Sequence, residues 1–251
     1  VTKGCKVQDA AMAAEFRGFT LRRLRIPVGG GVVSVVVPDA AAWRRDGTWV
    51  AGVVRGGEPP YWTRVWLAAV AAARLLARSG DLGGLEVCDI GCGLGIPGIV
   101  AASRGATVTF ADQEAGALAF AGWNGLRQAR AAPPRVQQLD WATEDLAGRF
   151  QVMVLADVTY RALHHAPLLR QIERGLADGG VVVHADPQRD ESAVFLGRLR
   201  ERLEVGVSLR ATAFGEQSGE VRLSVAAARR ETIAAWFARS GLDREWRPMG
   251  S

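Results

Sequence analysis

Lysine is almost missing from this chain. Lys3 and Lys6 are its only two, so the 31 basic residues and the formal charge of +5 rest almost wholly on arginine. A nucleic-acid footprint gathers Lys and Arg with aromatics on one stretch. Here the arginines are scattered, which argues against nucleic acid and suits a mildly basic surface facing an acidic protein partner. Cysteine is scarce too. Cys5, Cys88 and Cys92 are too few for a disulfide framework. With no His or Cys pair to complete Cys88-x-x-x-Cys92, zinc-ligand spacing is lacking and no metal is expected. No apolar run reaches the ~18–20 residues of a membrane span, and the N-terminal residues carry no apolar signal segment. A cytoplasmic, reducing compartment is the expectation.

What is present is ordinary in bulk: 49% hydrophobic and 23% charged residues over 251 positions suit one α/β unit with a modest extension. Residues 1–57 read as that extension, with β-prone runs Leu21–Pro27 and Val32–Val37 joined by a loose turn over Gly29-Gly30-Gly31. Glu58-Pro59-Pro60 breaks the chain. Residues 58–228 read as the main domain and 229–251 as a helix and polar tail. Tyr61–Arg78 is expected to be one helix, with Trp66, Val70, Ala73 and Ala77 on one face. Strands and helices then alternate: Leu85–Ile90, Thr107–Ala111, Val136–Leu139, Gln151–Ala156 and Val181–Ala185 are the strands. Asp178-Gly179-Gly180 is expected to turn into the last of these. Alternation implies a mostly parallel, Rossmann-like sheet with helices on both faces. Val205–Ala213 and Glu220–Ala226 have no helix between them, which implies an antiparallel C-terminal hairpin and a sheet of seven strands.

The segment Asp89-Ile90-Gly91-Cys92-Gly93-Leu94-Gly95-Ile96-Pro97-Gly98 carries the most chemistry. A strand that turns sharply into a helix beside a ligand needs residues without Cβ. A phosphate-binding dinucleotide loop is the competing reading. Asp89 suits a cationic or amine-bearing ligand better than a pyrophosphate. Pro97 removes one of the N–H groups a phosphate would use. Asp112 ends the second strand, where a carboxylate accepts from both hydroxyls of an adenosine ribose; a helix cap is its plainer reading. Asp140 at the third strand end can accept from an adenine amino group, and Trp141 can cover the purine face, with ordinary core packing as the alternative for the Trp.

Together, Asp89–Gly98, Leu139-Asp140-Trp141 and Ala156-Asp157-Val158-Thr159-Tyr160 resemble the protein-lysine methyltransferase-like family of seven-strand, S-adenosylmethionine-dependent enzymes, whose Asp-x-x-Tyr matches Asp157 and Tyr160. Pro60–Trp66 and Ala185-Asp186-Pro187-Gln188-Arg189 are similar to the branch acting on the electron-transfer flavoprotein β subunit. The resemblance covers about residues 58–226. It implies S-adenosyl-L-methionine as cofactor, bound by Trp62, Trp66, Asp89, Gly91, Cys92, Gly93, Gly95, Asp112, Gln113, Asp140, Trp141 and Ala156. It places Asp157 and Tyr160 at the acceptor entrance, as the catalytic pair.

Methyl transfer from a sulfonium asks for an in-line arrangement and an unprotonated nucleophile. An acceptor lysine, with an ordinary pKa near 10.4, must be neutralised by desolvation or by a proton route. Asp157 can orient the amine, and Tyr160 can wall the channel. His164 and His165 read as an exposed pair, and His184 as a buried core histidine. Three functions stay open on these residues: a protein-lysine methyltransferase, a small-molecule N- or O-methyltransferase, and a donor-binding protein without transferase activity.

Overall fold

Residues 19–39, 61–239 and 247–248 are described by a computed structural model of the chain. Cys5, the Glu58-Pro59-Pro60 break and most of the C-terminal tail lie outside them. Three mostly apolar runs become adjacent strands: β3 (Glu86–Ile90), β6 (Phe150–Ala156) and β7 (Leu176–Asp186). Nearly every residue of β3 and β6 is buried, as expected of strands covered on both faces. β4 (Thr107–Asp112) pairs parallel with β3, and the short, exposed β5 (Arg135–Gln138) pairs parallel with β4 at the edge. β8 (Glu204–Phe214) and β9 (Gln217–Ala227) form the antiparallel hairpin, with β9 against β7. The sheet order is β10-β8-β9-β7-β6-β3-β4-β5, seven full strands plus the two-residue β10 (Arg247–Pro248). This is the expected seven-strand mixed sheet with its C-terminal hairpin.

Helices α1 (Leu67–Arg78), α2 (Ile96–Ser103) and α3 (Ala115–Gln128) share one hydrophobic cluster; α4 (His165–Gly175) and α5 (Asp190–Arg200) pack into a second. α6 (Arg230–Arg239) follows β9, close to the helix expected there. β3 lies between β4 and β6, so the chain leaves it toward one side of the sheet and later returns on the other. A crevice outside the carboxyl ends at that switch point is where open α/β sheets bind ligands.

Four local expectations are corrected. Tyr61–Arg78 is not one helix: Tyr61–Thr63 is a 3-10 turn and the α-helix starts at Leu67. Trp66 is extended (φ −95, ψ 141), and its indole N–H donates to the Tyr61 carbonyl at 3.1 Å, which folds the entry back on itself. The Gly29–Gly31 turn is tight, not loose. Gly29 and Gly30 take φ of 28° and 84° and Gly31 already pairs with Val28, the geometry that glycine allows in a two-residue hairpin turn. Asp178-Gly179-Gly180 lies inside β7, where the ladder to β6 shifts register between Phe150 and Val152. The last hairpin turns at Gly215-Glu216, so its strands are longer than the apolar pattern suggested.

The N-terminal hairpin, β1 (Leu21–Val28) and β2 (Gly31–Pro38), contributes Ile26, Val28, Val33, Val35 and Val37 to the first cluster. Asn124 on α3 grips the backbone of Val36 as another strand would. Its Oδ1 accepts from Val36 N–H at 2.8 Å and its Nδ2 donates to Val36 O at 2.8 Å. Gln128 donates to Ser34 O at 2.8 Å, and Arg74 on α1 donates to Pro27 O at 3.1 Å. These bonds satisfy polar backbone that the docking removes from water.

Candidate active site

A cavity of about 750 Å3 opens at the carboxyl ends of β3, β4 and β6. Its glycine loop follows β3. Gly91, Gly93 and Gly95 have φ of 63°, 51° and 73°. A Cβ on Gly91 would stand 2.5 Å from Val158 Cγ1 and 3.1 Å from the Trp141 ring, so only glycine admits both neighbours. Gly91, Cys92 and Gly93 line the cavity and Gly95 does not. Gly95 caps α2, and a Cβ there would lie 2.7 Å from Ala121 Cβ; its work is close helix packing.

The loop's amides are largely committed inside the protein. Gly91 and Cys92 N–H donate to Ala111 O at 2.8 and 3.1 Å, and Gly95 N–H to Cys92 O at 2.7 Å. Gly93 N–H donates to Asp112 Oδ2 at 2.9 Å, and Gly98 N–H to Asp89 Oδ2 at 3.0 Å. A pyrophosphate would need those donors. What the loop offers a ligand is two buried carboxylates, which suits hydroxyl and amino donors.

Asp89 is fully buried, and its carboxyl is pushed up to about 8, first by desolvation and further by the charge of Asp112, against the Gly98 bond. Asp112 is also raised by burial, which its bonds from Glu114 N–H (3.0 Å) and Gly93 N–H partly offset. Each retains lone pairs for a ligand, since each named oxygen accepts one bond from the backbone. Gln113 is exposed and lines the cavity, its carbonyl tied by Gln138.

Trp141 lines the cavity above Gly91. Its indole N–H donates to His164 Nδ1 at 3.2 Å, so that nitrogen is an acceptor and His164 is neutral there; burial and Arg161 lower its pKa. Arg170 and Gln171 on α4 donate to the Trp141 carbonyl at 2.8 and 3.2 Å. Asp140 is not brought to the cavity. It is exposed; its Oδ1 accepts from Ala142 N–H at 2.9 Å while its own N–H donates to Glu144 at 2.8 Å. A turn after a strand leaves orphan N–H groups, and one carboxylate oxygen of this Asp serves them.

Trp62, 8% exposed, lines the cavity and packs on Phe120 with ring centroids 5.8 Å apart and on Phe19 at 6.5 Å. Trp66 and Ala156 line it as well.

Asp157 and Tyr160 stand at the far wall. Asp157 holds φ 57°, an uncommon backbone for a non-glycine residue. Its carboxylate is clasped by Arg189: Nε donates to Oδ1 at 3.0 Å and Nη2 to Oδ2 at 3.3 Å. Burial still raises its pKa, with Arg189 opposing. Behind it, Asp186 is fully buried and paired in the same two-pronged way with Arg222, at 2.9 and 2.8 Å. Arg222 also donates to the Arg189 carbonyl at 3.2 Å, linking the two pairs. Tyr160 is 40% exposed, its phenol raised by partial burial, and its ring meets His164 edge-on at 5.7 Å.

The histidine pair is not exposed, contrary to expectation. His165 is fully buried and its Nε2–H donates to Thr159 O at 3.1 Å; His164 is half-buried beneath Trp141. His184 is a buried core histidine, 2.9 Å from Thr159 Oγ1. Cys88 and Cys92 are buried with raised thiols, and no group of described residues could hold a metal. Sequence reading missed Phe19, Arg64, Glu114 and Val158 on the cavity wall and gave Arg189 no role. Arg64, Val158 and Arg189 lie within the segments that carry the resemblance, whereas Phe19 and Glu114 had no signal.

A family model described as a methyltransferase domain matches residues 61–243. The chain is 36% identical over 152 residues to the protein N-lysine methyltransferase METTL21A of Danio rerio, covering 56% of this chain and 68% of that protein. It is 31% identical over 112 residues to a ubiquinone biosynthesis O-methyltransferase of Pseudomonas aeruginosa, covering 45% of this chain and 48% of that one. In fold it is similar to the N-methyltransferase NodS of Bradyrhizobium japonicum solved with S-adenosyl-L-homocysteine, with a TM-score of 0.50 at 20% identity over 63% of this chain and 84% of that one. The buried carboxylates, the committed loop amides and the indole wall fit S-adenosyl-L-methionine, whose hydroxyl and amino groups are donors and whose adenine is a flat apolar face. The chain belongs to the methyltransferase domain family and is an S-adenosylmethionine-dependent methyltransferase.

Proposed function

We propose that this enzyme methylates the side-chain nitrogen of a protein lysine. The observation carrying the reading is the clasped Asp157 beside Tyr160 at the end of the cavity away from Asp112. The 36% identity to a protein N-lysine methyltransferase supports it.

S-adenosyl-L-methionine, when bound, supplies a methyl group activated on a sulfonium. Asp112, Gln113 and Trp141 are assigned to its nucleoside, Asp89 and the glycine loop to its amino-acid end, and Trp62 and Trp66 to the entry side. Asp157 and Tyr160 act on the acceptor. Because Arg189 already neutralises Asp157, the site holds no unpaired carboxylate there to favour an ammonium. An amine therefore sits more readily as the neutral base, which is the form that can attack. Each Asp157 oxygen still has a lone pair to accept one amine N–H and aim the nitrogen. Tyr160 closes the side of the channel and limits water.

The pattern similar to the flavoprotein branch stops short of naming the acceptor protein, so the proposal is a lysine of a protein. A second reading, a small-molecule O-methyltransferase, rests on the 31% relative. Incubating the enzyme with a methyl-labelled donor and a cell lysate separates the two. Label in a protein band that yields methyl-lysine on hydrolysis is the expected result. Label only in the small-molecule fraction would replace the proposal with the second reading.

A further inference from the structure

Asp157-Val158-Thr159-Tyr160 carries the two side chains assigned to the acceptor, yet it belongs to no helix or strand. Asp157 holds φ 57°, a conformation that persists in a residue with a Cβ only where its surroundings over-determine it. Its N–H donates to Ala185 O at 2.8 Å, which pins the start of the loop to β7. Asp157, Val158 and Tyr160 line the donor cavity, and Thr159 does not.

Thr159 faces the interior instead and is fully buried. Its Oγ1 donates to Ser192 Oγ on α5 at 2.9 Å and stands 2.9 Å from His184 Nε2 on β7. Its carbonyl accepts from His165 Nε2–H, at the head of α4, at 3.1 Å. Three elements thus converge on one residue of the loop. Ser192, His165 and His184 are fully buried too, and Phe195 packs against both imidazoles, with ring centroids 5.6 and 5.4 Å away. A hydroxyl carries one proton and two lone pairs, so this one oxygen can serve both side-chain partners. Water does not compete there, and an unmade bond in such surroundings is costly, so the network selects one arrangement. Threonine is branched at Cβ and stiff at χ1, so fixing its hydroxyl also fixes its backbone.

We propose that Thr159 is a positioning residue for methyl transfer: anchored by His184 and Ser192, it holds the backbone so that Asp157 and Tyr160 stay aimed into the cavity. The inference rests on the reading that those two side chains act on the acceptor, and not on the acceptor being a lysine.

Thr159→Val keeps the shape and deletes the hydroxyl, whereas Thr159→Ser keeps the hydroxyl. Transfer of label from methyl-labelled S-adenosyl-L-methionine to the lysate acceptor is followed against donor concentration for the full chain. In Thr159→Val the maximal rate should fall about 10- to 100-fold, the cost of misplacing reacting groups by about an ångström. The donor KM and the calorimetric affinity for S-adenosyl-L-homocysteine should not change, and Thr159→Ser should restore the rate. Crystal structures of the two variants give a readout that needs no acceptor: the Asp157–Arg189 clasp should be lost or displaced with Val and kept with Ser. If Thr159→Val does not fold, Ser192→Ala removes one anchor and should give a smaller loss of rate in the same direction. A clasp and a maximal rate unchanged in the variant that folds overturn the proposal, as does a loss of donor affinity equal to the loss of rate. Asp157→Ala keeps the two readings apart. Full turnover in that variant removes the role of Asp157 on which the inference rests. Turnover lost there but retained in Thr159→Val overturns the positioning role alone.

Discussion

The two ends of the cavity hold their carboxylates by opposite means. At the end proposed for the donor, Asp89 and Asp112 are held by backbone N–H groups of Gly98, Gly93 and Glu114. At the end proposed for the acceptor, Asp157 and, behind it, Asp186 are held by the guanidinium groups of Arg189 and Arg222. Backbone donors come with the turn itself and no substitution of a single side chain removes them. Desolvation pushes the buried Asp89 up to about 8, and its backbone bond from Gly98 opposes that only in part. Arginine partners cancel charge instead, and each can be removed by one mutation. The donor end is thus fixed by fold, and the acceptor end is open to change.

The largest expected difference is in stability. Arg222→Met strands the fully buried Asp186 without its partner and should cost about 3–5 kcal/mol in urea unfolding. A loss below about 1 kcal/mol would mean that the acceptor end does not depend on that pair. Gly95→Ala attacks the donor end through backbone and packing together, since it forces a positive φ and a methyl 2.7 Å from Ala121. It should cost about 2–4 kcal/mol in the same unfolding measurement.

Asp112→Ala should weaken binding of S-adenosyl-L-homocysteine by about 100-fold in calorimetry, while leaving the acceptor end folded. Undiminished affinity would show that Asp112 only caps the turn. Arg189→Met should act in the contrary sense, sparing donor affinity and costing less stability than Arg222→Met, because Arg189 is 43% exposed where Arg222 is 16% exposed. It removes the charge that opposes the upward shift of Asp157. Transfer of label to the lysate acceptor should therefore fall, with its acid limb moved to higher pH. An unmoved pH profile would end the idea that Arg189 keeps Asp157 ionised.

The two ends also differ from the core in the pH dependence of the donor-free protein. Asp89 holds its proton more tightly folded than unfolded, with a pKa raised from 3.8 to about 8. Its contribution to stability is complete below the unfolded value and is lost as pH rises toward 8. Asp89→Asn should flatten that decline. His184 is lowered from 6.5 to about 4 by burial. Its contribution is present above 6.5 and is lost as pH falls toward 4, and His184→Gln should flatten that limb. Urea midpoints measured across pH 4 to 8 check both.

Legibility follows the same division. The glycine loop, Asp89 and Asp112 could be read because their partners lie within a strand, a turn and the next strand. Asp140 could not be placed from sequence, because a strand-end Asp looks the same whether it serves a ligand or its own turn. His165 was misread because nothing local reveals that α4 turns it onto the Thr159 carbonyl. Arg189 and Arg222 meet carboxylates 32 and 36 residues away, and Asn124 meets Val36 across 88 residues. No short pattern records contacts of that length.

By itself the chain's order of residues determined a mostly parallel sheet with a C-terminal hairpin and a glycine turn after its first strand. Those features rest on alternating apolar runs and on backbone that only glycine can follow, and both are local. Tertiary structure decided which acids face the cavity, which are spent on turns, and which are neutralised by arginine. It also decided that the hairpin is gripped by Asn124 and Arg74. Burial and charge pairing depend on what the fold brings alongside, and that is set by packing over the whole sheet.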